Sequence, residues 1–586
     1  MSKANQGKRS QNRNYHDTNA EMTSSREDRS CSRSKKSSRS NKQRRSTGSS
    51  RRPYNAVADN ASTNDALRGV NDMSWYNQYP ALIQTAASFP YPYRPGMTID
   101  FGTAAIQATA STTKTVPVAH QIPGVLVLEW YPSVGQSLYP TDPASIAGKE
   151  MYARVRKVYS GAIDADAPDF VMYTLALDSV FAYCAWLKRL YRALNAWTPD
   201  NYALPDALLM AFGLSQSEIT SLREDRANLL HCINELILQS QKFRCPAIMD
   251  IFNRHYWMSD NIYLDAPSIA SQIYAFNPQG LYILNAQQKV AIAGSADTAA
   301  GLSISPMPTV SADVDVSVSS LFNYGLSLIQ ALDEWDDSYL ISGYLMRAYE
   351  GVPSFKVDLL TIDEQLTPLY VEEVLMQIEN SRTAATLVYA GNMGVFQNPL
   401  TNAVVSQPIC APRKTTANGI NLNLPGTISV RSDSPTLTDN VIATRLQTLT
   451  SADTITPIVV DTAIGGDAPL TQGNKIICGT ELVLSMKIFD LNRSSLLTQH
   501  RLYSVVGVSI DNMDAAEWEN LPYYFELAEF DWHPITWIVY YRSGAVTNTD
   551  TFCNGDIHNF TLVSEQQFEV LNRTCLFSEF RSFDQQ

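Results

Sequence analysis

The chain has 586 residues, with 45 Lys or Arg against 58 Asp or Glu, 45% hydrophobic residues and eight cysteines. That apolar content is ample for a large core in two or three domains and excludes a chain that is disordered throughout. The cysteines are scattered without a C-x-x-C pair, which argues against zinc and a disulfide framework; the lack of about 18 uninterrupted apolar residues argues against a bilayer span, and the polar start against a secretory signal.

Charge is unevenly spread. Residues 1–52 carry Lys3, Lys8, Arg9, Arg13, Arg26, Arg29, Arg33, Lys35, Lys36, Arg39, Lys42, Arg44, Arg45, Arg51 and Arg52, against Asp17, Glu21, Glu27 and Asp28. Taking these 15 and 4 from the totals of 45 and 58 leaves 30 basic and 54 acidic residues, so a tail of about +11 precedes a body of about −24. The tail's one aromatic residue is Tyr15, and Ser25–Arg52 has no aliphatic side chain. Such a segment cannot offset roughly 1–2 kcal/mol of backbone entropy per ordered residue, so residues 1–65 are expected to form a disordered basic arm. A localisation signal or a solvated linker would explain a lone basic run. The length of this one, and the opposite charge of all that follows, point instead to neutralising a polyanion through those fifteen side chains, with counterion release.

Ordered structure is expected from about Asn71, where NDMSWYNQYP is followed by FPYPYRPG, whose prolines demand extended chain and whose aromatics want a partner surface. IPGVLVLEWYPSVG (Ile122–Gly135) reads as a short buried strand. Asp166, Pro168 and Asp169 then open a helix whose Phe170, Tyr173, Leu177, Val180, Phe181, Cys184, Leu187 and Tyr191 form one broad apolar stripe. Ser221-Leu-Arg-Glu224 fits a capping box leading into a second helix with Leu222, Leu229, Ile233, Leu236 and Ile237 buried. Further helices are expected over Ser319–Trp335, Asp337–Tyr349 and Val371–Asn380.

The second half changes character. Gln397–Ile488 contains no Phe, Tyr or Trp in 92 residues and is rich in Thr, Ser, Asn and Val, the composition of short strands with little deep burial. Leu284–Leu321 also lacks aromatics. Both read as surface-projecting material outside the main core, the shorter one either joining a projection or lining a subunit seam. Ile535–Tyr541 reads as a buried strand, and Ser564-Glu-Gln-Gln567 caps a terminal helix burying Phe568, Leu571 and Cys575.

No phosphate-binding loop, dinucleotide fingerprint, H-E-x-x-H or G-x-S-x-G occurs. Asp333, Glu334, Asp336 and Asp337 could hold a divalent ion, but such a run is more often a helix junction in water. Arg254, His255 and Trp257 could stack a base, but their aromatic area favours packing. No catalytic, cofactor or metal residue is assigned.

The segments YARVRKVYSGAIDADAPDFVMYTLALDSVFAYCAWLKRLYRAL, NYALPDALLMAFG and KFRCPAIMDIFNRHYWMSDNIY, in that order after a basic arm and NDMSWYNQYP, resemble the capsid proteins of picobirnaviruses. The resemblance is clearest over about residues 71–278. It implies an α+β chain with a predominantly helical shell domain and an inserted β-rich projecting domain: arm 1–65, shell 66–383, projection 384–488 and a C-terminal return to the shell, 489–586. It implies a virion protein assembled in host cytoplasm, forming symmetric dimers that close an icosahedral shell around double-stranded RNA. Its partners would be itself, genomic or nonspecific RNA held by the arm, and a host receptor through the projection, with no cofactor and no stable membrane insertion. Relatives are thought to trim their own arm, and loss around residues 52–71 would fit that. The alternatives are a nucleocapsid-like protein coating RNA without closing a shell, or a membrane-active or hydrolytic entry protein.

Overall fold

The computed structural model describes residues 78–92, 98–109, 112–121, 124–196, 204–268, 271–289, 298–310, 315–384, 388–411, 424–458, 470–490, 498–509, 516–542 and 545–583. The chain divides into two units, residues 1–90 and 91–586. Of the first, the described part is the short helix Pro80–Ala86, started by its proline and with no buried residue.

The second unit is organised about a mixed five-stranded sheet, ordered Thr498–Leu502, Glu481–Asp490, Val125–Pro132, Ile273–Pro278 and Ile262–Leu264. Val125–Pro132 runs antiparallel to Glu481–Asp490 and parallel to Ile273–Pro278. Successive strand side chains point to opposite faces, and here both faces are covered. Val125, Val127, Ile273 and Ala275 enter a core built largely from helices. Leu126, Leu128, Trp130, Tyr274 and Phe276 enter a second core with Ile428, Val506, Tyr524, Ile538 and Phe568. A strand buried on two sides has no polar face to show, which is why VLVLEWYP reads as a nearly unbroken apolar run.

The helical layer centres on Ala167–Leu194. Asp166 and Asp169 form a capping box at its start, as the residues suggested. The expected single stripe is exceeded: every residue of this helix except Arg192 is buried, because neighbours pack around its whole circumference. It is long and apolar enough to cross a bilayer, yet it lies wholly inside the protein.

The second capping box is corrected. Ser215 and Glu218 cap the helix Gln216–Glu224, and Ser221 lies within it. The chain breaks at Asp225 before Arg226–Ser240. Both quartets fit S-x-x-E, and the one nearer the preceding turn wins. Helices Val318–Asp333, Asp337–Ala348, Glu372–Glu379 and Glu565–Glu579 lie where expected, the last with its Ser564–Gln567 box. Helices Pro143–Val158, Leu204–Ala211, Leu437–Ala443 and Ala516–Leu527 add to them.

The aromatic-free stretches do not stand outside the main core where they are described. Leu302, Ile304, Val404, Cys410, Ile476 and Leu482 are buried in the helical core, and Ile428, Leu449, Val483 and Met486 in the second. Their strands extend the body: Thr298–Pro306 pairs with Val395–Asn398, and Glu481–Asp490 sits beside Val125–Pro132. Absence of aromatics signals thin β-layers filled by Val, Ile and Leu rather than exposure. Strand Glu481–Asp490 also crosses the expected boundary at residue 488.

Candidate functional site

The fifteen basic residues of the arm, from Lys3 to Arg52, all lie outside the described residues. What the described body holds instead is a buried network of charges joining its two cores.

Arg254 and His255 are adjacent on the helix Asp250–Asp260. The Arg254 guanidinium forks onto Glu481, with Nε on Oε1 and an Nη at 3.2 Å from Oε2, and donates to Gln377 Oε1 at 3.0 Å. His255 turns Nδ1 to the Asp178 carboxylate of the central helix, while its Nε2 lies 3.3 Å from Glu481 Oε1. Arg445, just past the helix Leu437–Ala443, pairs with Glu579 near the end of the terminal helix and donates to Thr480 Oγ1 at 2.9 Å. Its guanidinium also stands 3.9 Å from Glu481 Oε2.

Three cations thus meet three carboxylates around Glu481, whose side chain is 0% exposed. Burial alone would raise the Glu481 carboxyl, but Arg254, His255 and Arg445 overcome it and hold it well below the ordinary range. Burial opposes a charge on His255, yet Asp178 and Glu481 on either side lift the imidazole to about 10, so it is the cation at neutral pH. Burial raises Asp178 and His255 pulls it back, leaving it above its usual value.

A smaller cluster sits one strand away. Glu129, inside the apolar run of Val125–Pro132, takes Arg501 at 2.9 Å, Lys487 at 2.5 Å and the Ser485 hydroxyl. Isolated buried carboxylates are costly, and each of these is matched by cations and hydrogen bonds. Such charges fix one register between layers; they are not presented to a substrate.

A cleft of about 500 Å³ opens between residues 134–143, strand Gly473–Ile477 and the terminal helix. Cys478 on its wall is pushed up to about 12 by burial, so its thiol stays protonated and a poor nucleophile at neutral pH. The acidic run at 333–337 is a helix junction, with Asp333 taken by Lys242 and by the Tyr339 hydroxyl at 2.6 Å. Among the described residues no group of three His, Cys, Asp or Glu is placed to hold a metal. His255 is packed inside, stacked obliquely 5.0 Å from Trp130, as the packing reading expects. The network itself went unread, although its signal is in the sequence: a charge set in an apolar run, as in VLVLEWYP, TLALDSVF and GTELVLSM.

The ionisable groups of this interior pair with one another between packed layers. The chain belongs to the picobirnavirus capsid protein family: the family model described as "Picobirnavirus, Capsid protein" matches residues 75–412. A capsid protein precursor of Human picobirnavirus (strain Human/Thailand/Hy005102/-) is 25% identical over 539 residues, covering 87% of this chain and 90% of that protein. The X-ray crystallographic structure of the picobirnavirus capsid shares the fold, with a TM-score of 0.70 at 20% identity over 87% of this chain and 98% of that one. The protein is therefore a viral capsid component, structural rather than enzymatic.

Proposed function

We propose that this capsid protein assembles through symmetric dimers into a closed icosahedral shell around double-stranded RNA, with the basic arm on the inside. The observation that carries the reading is the reversal of charge along one chain, about +11 over residues 1–52 and about −24 over the rest. Lys3 to Arg52 would compensate phosphates without reading bases, because phosphate contacts carry no sequence information. The acidic body would keep RNA off the outer surface and finished particles apart. In this reading the helical layer within residues 66–383 forms the wall, residues 489–586 return to it, and the β-rich material within 384–488 supplies an outward face where a host receptor would bind. Assembly would take place in the host cytoplasm.

The test is deletion of residues 1–52. Closed particles are expected to form in negative stain as for the full chain, with much less copurifying RNA. Equal RNA in the truncated particles would refute the arm's role. Filaments or unassembled subunits from the full chain would refute the shell and favour an RNA-coating protein.

A further inference from the structure

The terminal helix Glu565–Glu579 shows two different faces. Phe568 enters the second core and Leu571 packs against it. Gln566, Glu569, Asn572 and Leu576, three or four residues apart, line the 500 Å³ cleft instead. Facing them are residues 134–143, whose main chain is fixed. Ser137 and Ser406 exchange two backbone hydrogen bonds at 2.8 Å, and the Asp142 carboxylate accepts from the Leu138 and Tyr139 N–H groups at 2.6 and 2.8 Å. The cleft is therefore preformed.

Asn572 is 9% exposed, yet among the described residues neither its Oδ1 nor its Nδ2 has a hydrogen-bond partner. On the wall formed by residues 134–143, the buried Gln136 Oε1 is unanswered too. Gly479, beside the amide, carries no side chain; a Cβ there would stand 3.3 Å from Asn572 Oδ1 and crowd it. Buried donors and acceptors left unmade are costly, so a donor and two acceptors converging on one cleft mark a place where a ligand supplies their partners.

The cleft also selects that ligand. A primary amide shows its C=O and N–H on one edge, so its complement carries a donor and an acceptor side by side. A trans peptide group holds the two on opposite sides and does not match. A nucleobase edge does, which is how Asn side chains read bases. Val134, Leu138, Ile477 and Leu576 give apolar walls suited to the faces of a flat ring. The charged groups of the lining, Lys475 and Arg573 against Asp142 and Glu569, cancel, and Glu569 holds Lys475 Nζ at 3.0 Å. An uncharged ligand fits this balance better than a phosphate.

We infer that the cleft binds a nucleobase-type ring, its donor–acceptor edge on the Asn572 amide and a further N–H on Gln136 Oε1. The inference goes beyond the shell reading and does not depend on it. Such a ring comes either as a free nucleoside or as an unpaired base of single-stranded RNA.

The test is equilibrium dialysis and saturation-transfer NMR on full-length protein with uridine and adenosine. At least one nucleoside is expected to bind, and methylating its edge, as in 3-methyluridine or dimethyladenosine, should weaken binding by about tenfold or more. Asn572→Leu keeps the size of the side chain and deletes no hydrogen bond of the fold. It is expected to fold as the parent does by circular dichroism and to weaken binding equally; if it fails to fold, the methylated nucleosides on the parent decide. Displacement of the nucleoside by a single strand of the same base, but not by an abasic strand of equal length, assigns the ring to RNA. Displacement by neither strand assigns a free nucleoside. No binding of either nucleoside, or binding that survives methylation or a folded Asn572→Leu, overturns the inference. So does displacement by the abasic strand, since backbone rather than a base would then occupy the cleft.

Discussion

Replacing Glu481 by Gln keeps the shape of the most enclosed side chain in the network and removes its charge. Arg254 would lose its forked carboxylate and keep Gln377 at 3.0 Å, with Glu579 4.0 Å away. Arg445 would keep Glu579 and Thr480, and His255 would keep Asp178. Removing one partner of a buried pair costs about 3–5 kcal/mol. The surviving carboxylates soften the loss here, so the lower end, about 3 kcal/mol, is expected for Glu481→Gln in urea unfolding of unassembled subunits. The same change should be visible in the His255 ring titration. With its folded value raised to about 10, the contribution of His255 to stability is fully present below its unfolded value near 6.5 and is lost as pH rises through about 10. Without Glu481 that upper limit moves to lower pH. A loss under about 1 kcal/mol, together with an unmoved His255 titration, would refute the idea that the two cores are locked through Glu481.

Three further outcomes are expected. Burial lifts Asp169 from 3.8 to about 7, so the folded state keeps a proton the unfolded chain releases, and stability falls as pH rises across that window; Asp169→Asn should remove this slope, and identical pH profiles for variant and parent would contradict it. A Cβ on Gly148 would lie 2.7 Å from the Ala167 carbonyl oxygen, a backbone atom that cannot swing aside; Gly148→Ala should cost roughly 1–3 kcal/mol in denaturant unfolding, and a neutral result would mean the two helices are free to separate. A peptide of residues 1–65 should bind duplex RNA without sequence preference and lose on the order of 10³-fold affinity between about 50 and 200 mM salt, whereas salt-insensitive binding would rule out phosphate neutralisation.

Much of the helical layer was legible because its signals are local. The Asp166–Asp169 and Ser564–Gln567 boxes announce helix starts, and VLVLEWYP announces a strand covered on both sides. What escaped depends on partners distant in sequence. Nothing near Glu481 tells that Arg254, Arg445 and Glu579 converge on it, since each comes from a different element. The aromatic-free stretch from Gln397 to Ile488 misleads for a related reason: aromatic content says little about burial there, which is set by the pairing of Ala403–Ser406 with Val395–Asn398 and of Glu481–Asp490 with Val125–Pro132. The short helix Leu437–Ala443 has a Thr436–Asp439 box that could have been read, but Thr-rich surroundings hid it.

The most direct test of the account is trypsin digestion of intact, purified particles. With fifteen Lys and Arg between residues 3 and 52, a solvent-facing arm would be cut within minutes. An inward-facing arm survives until the particles are opened by denaturant and is then cut first; an arm removed from particles that remain closed would contradict its placement inside.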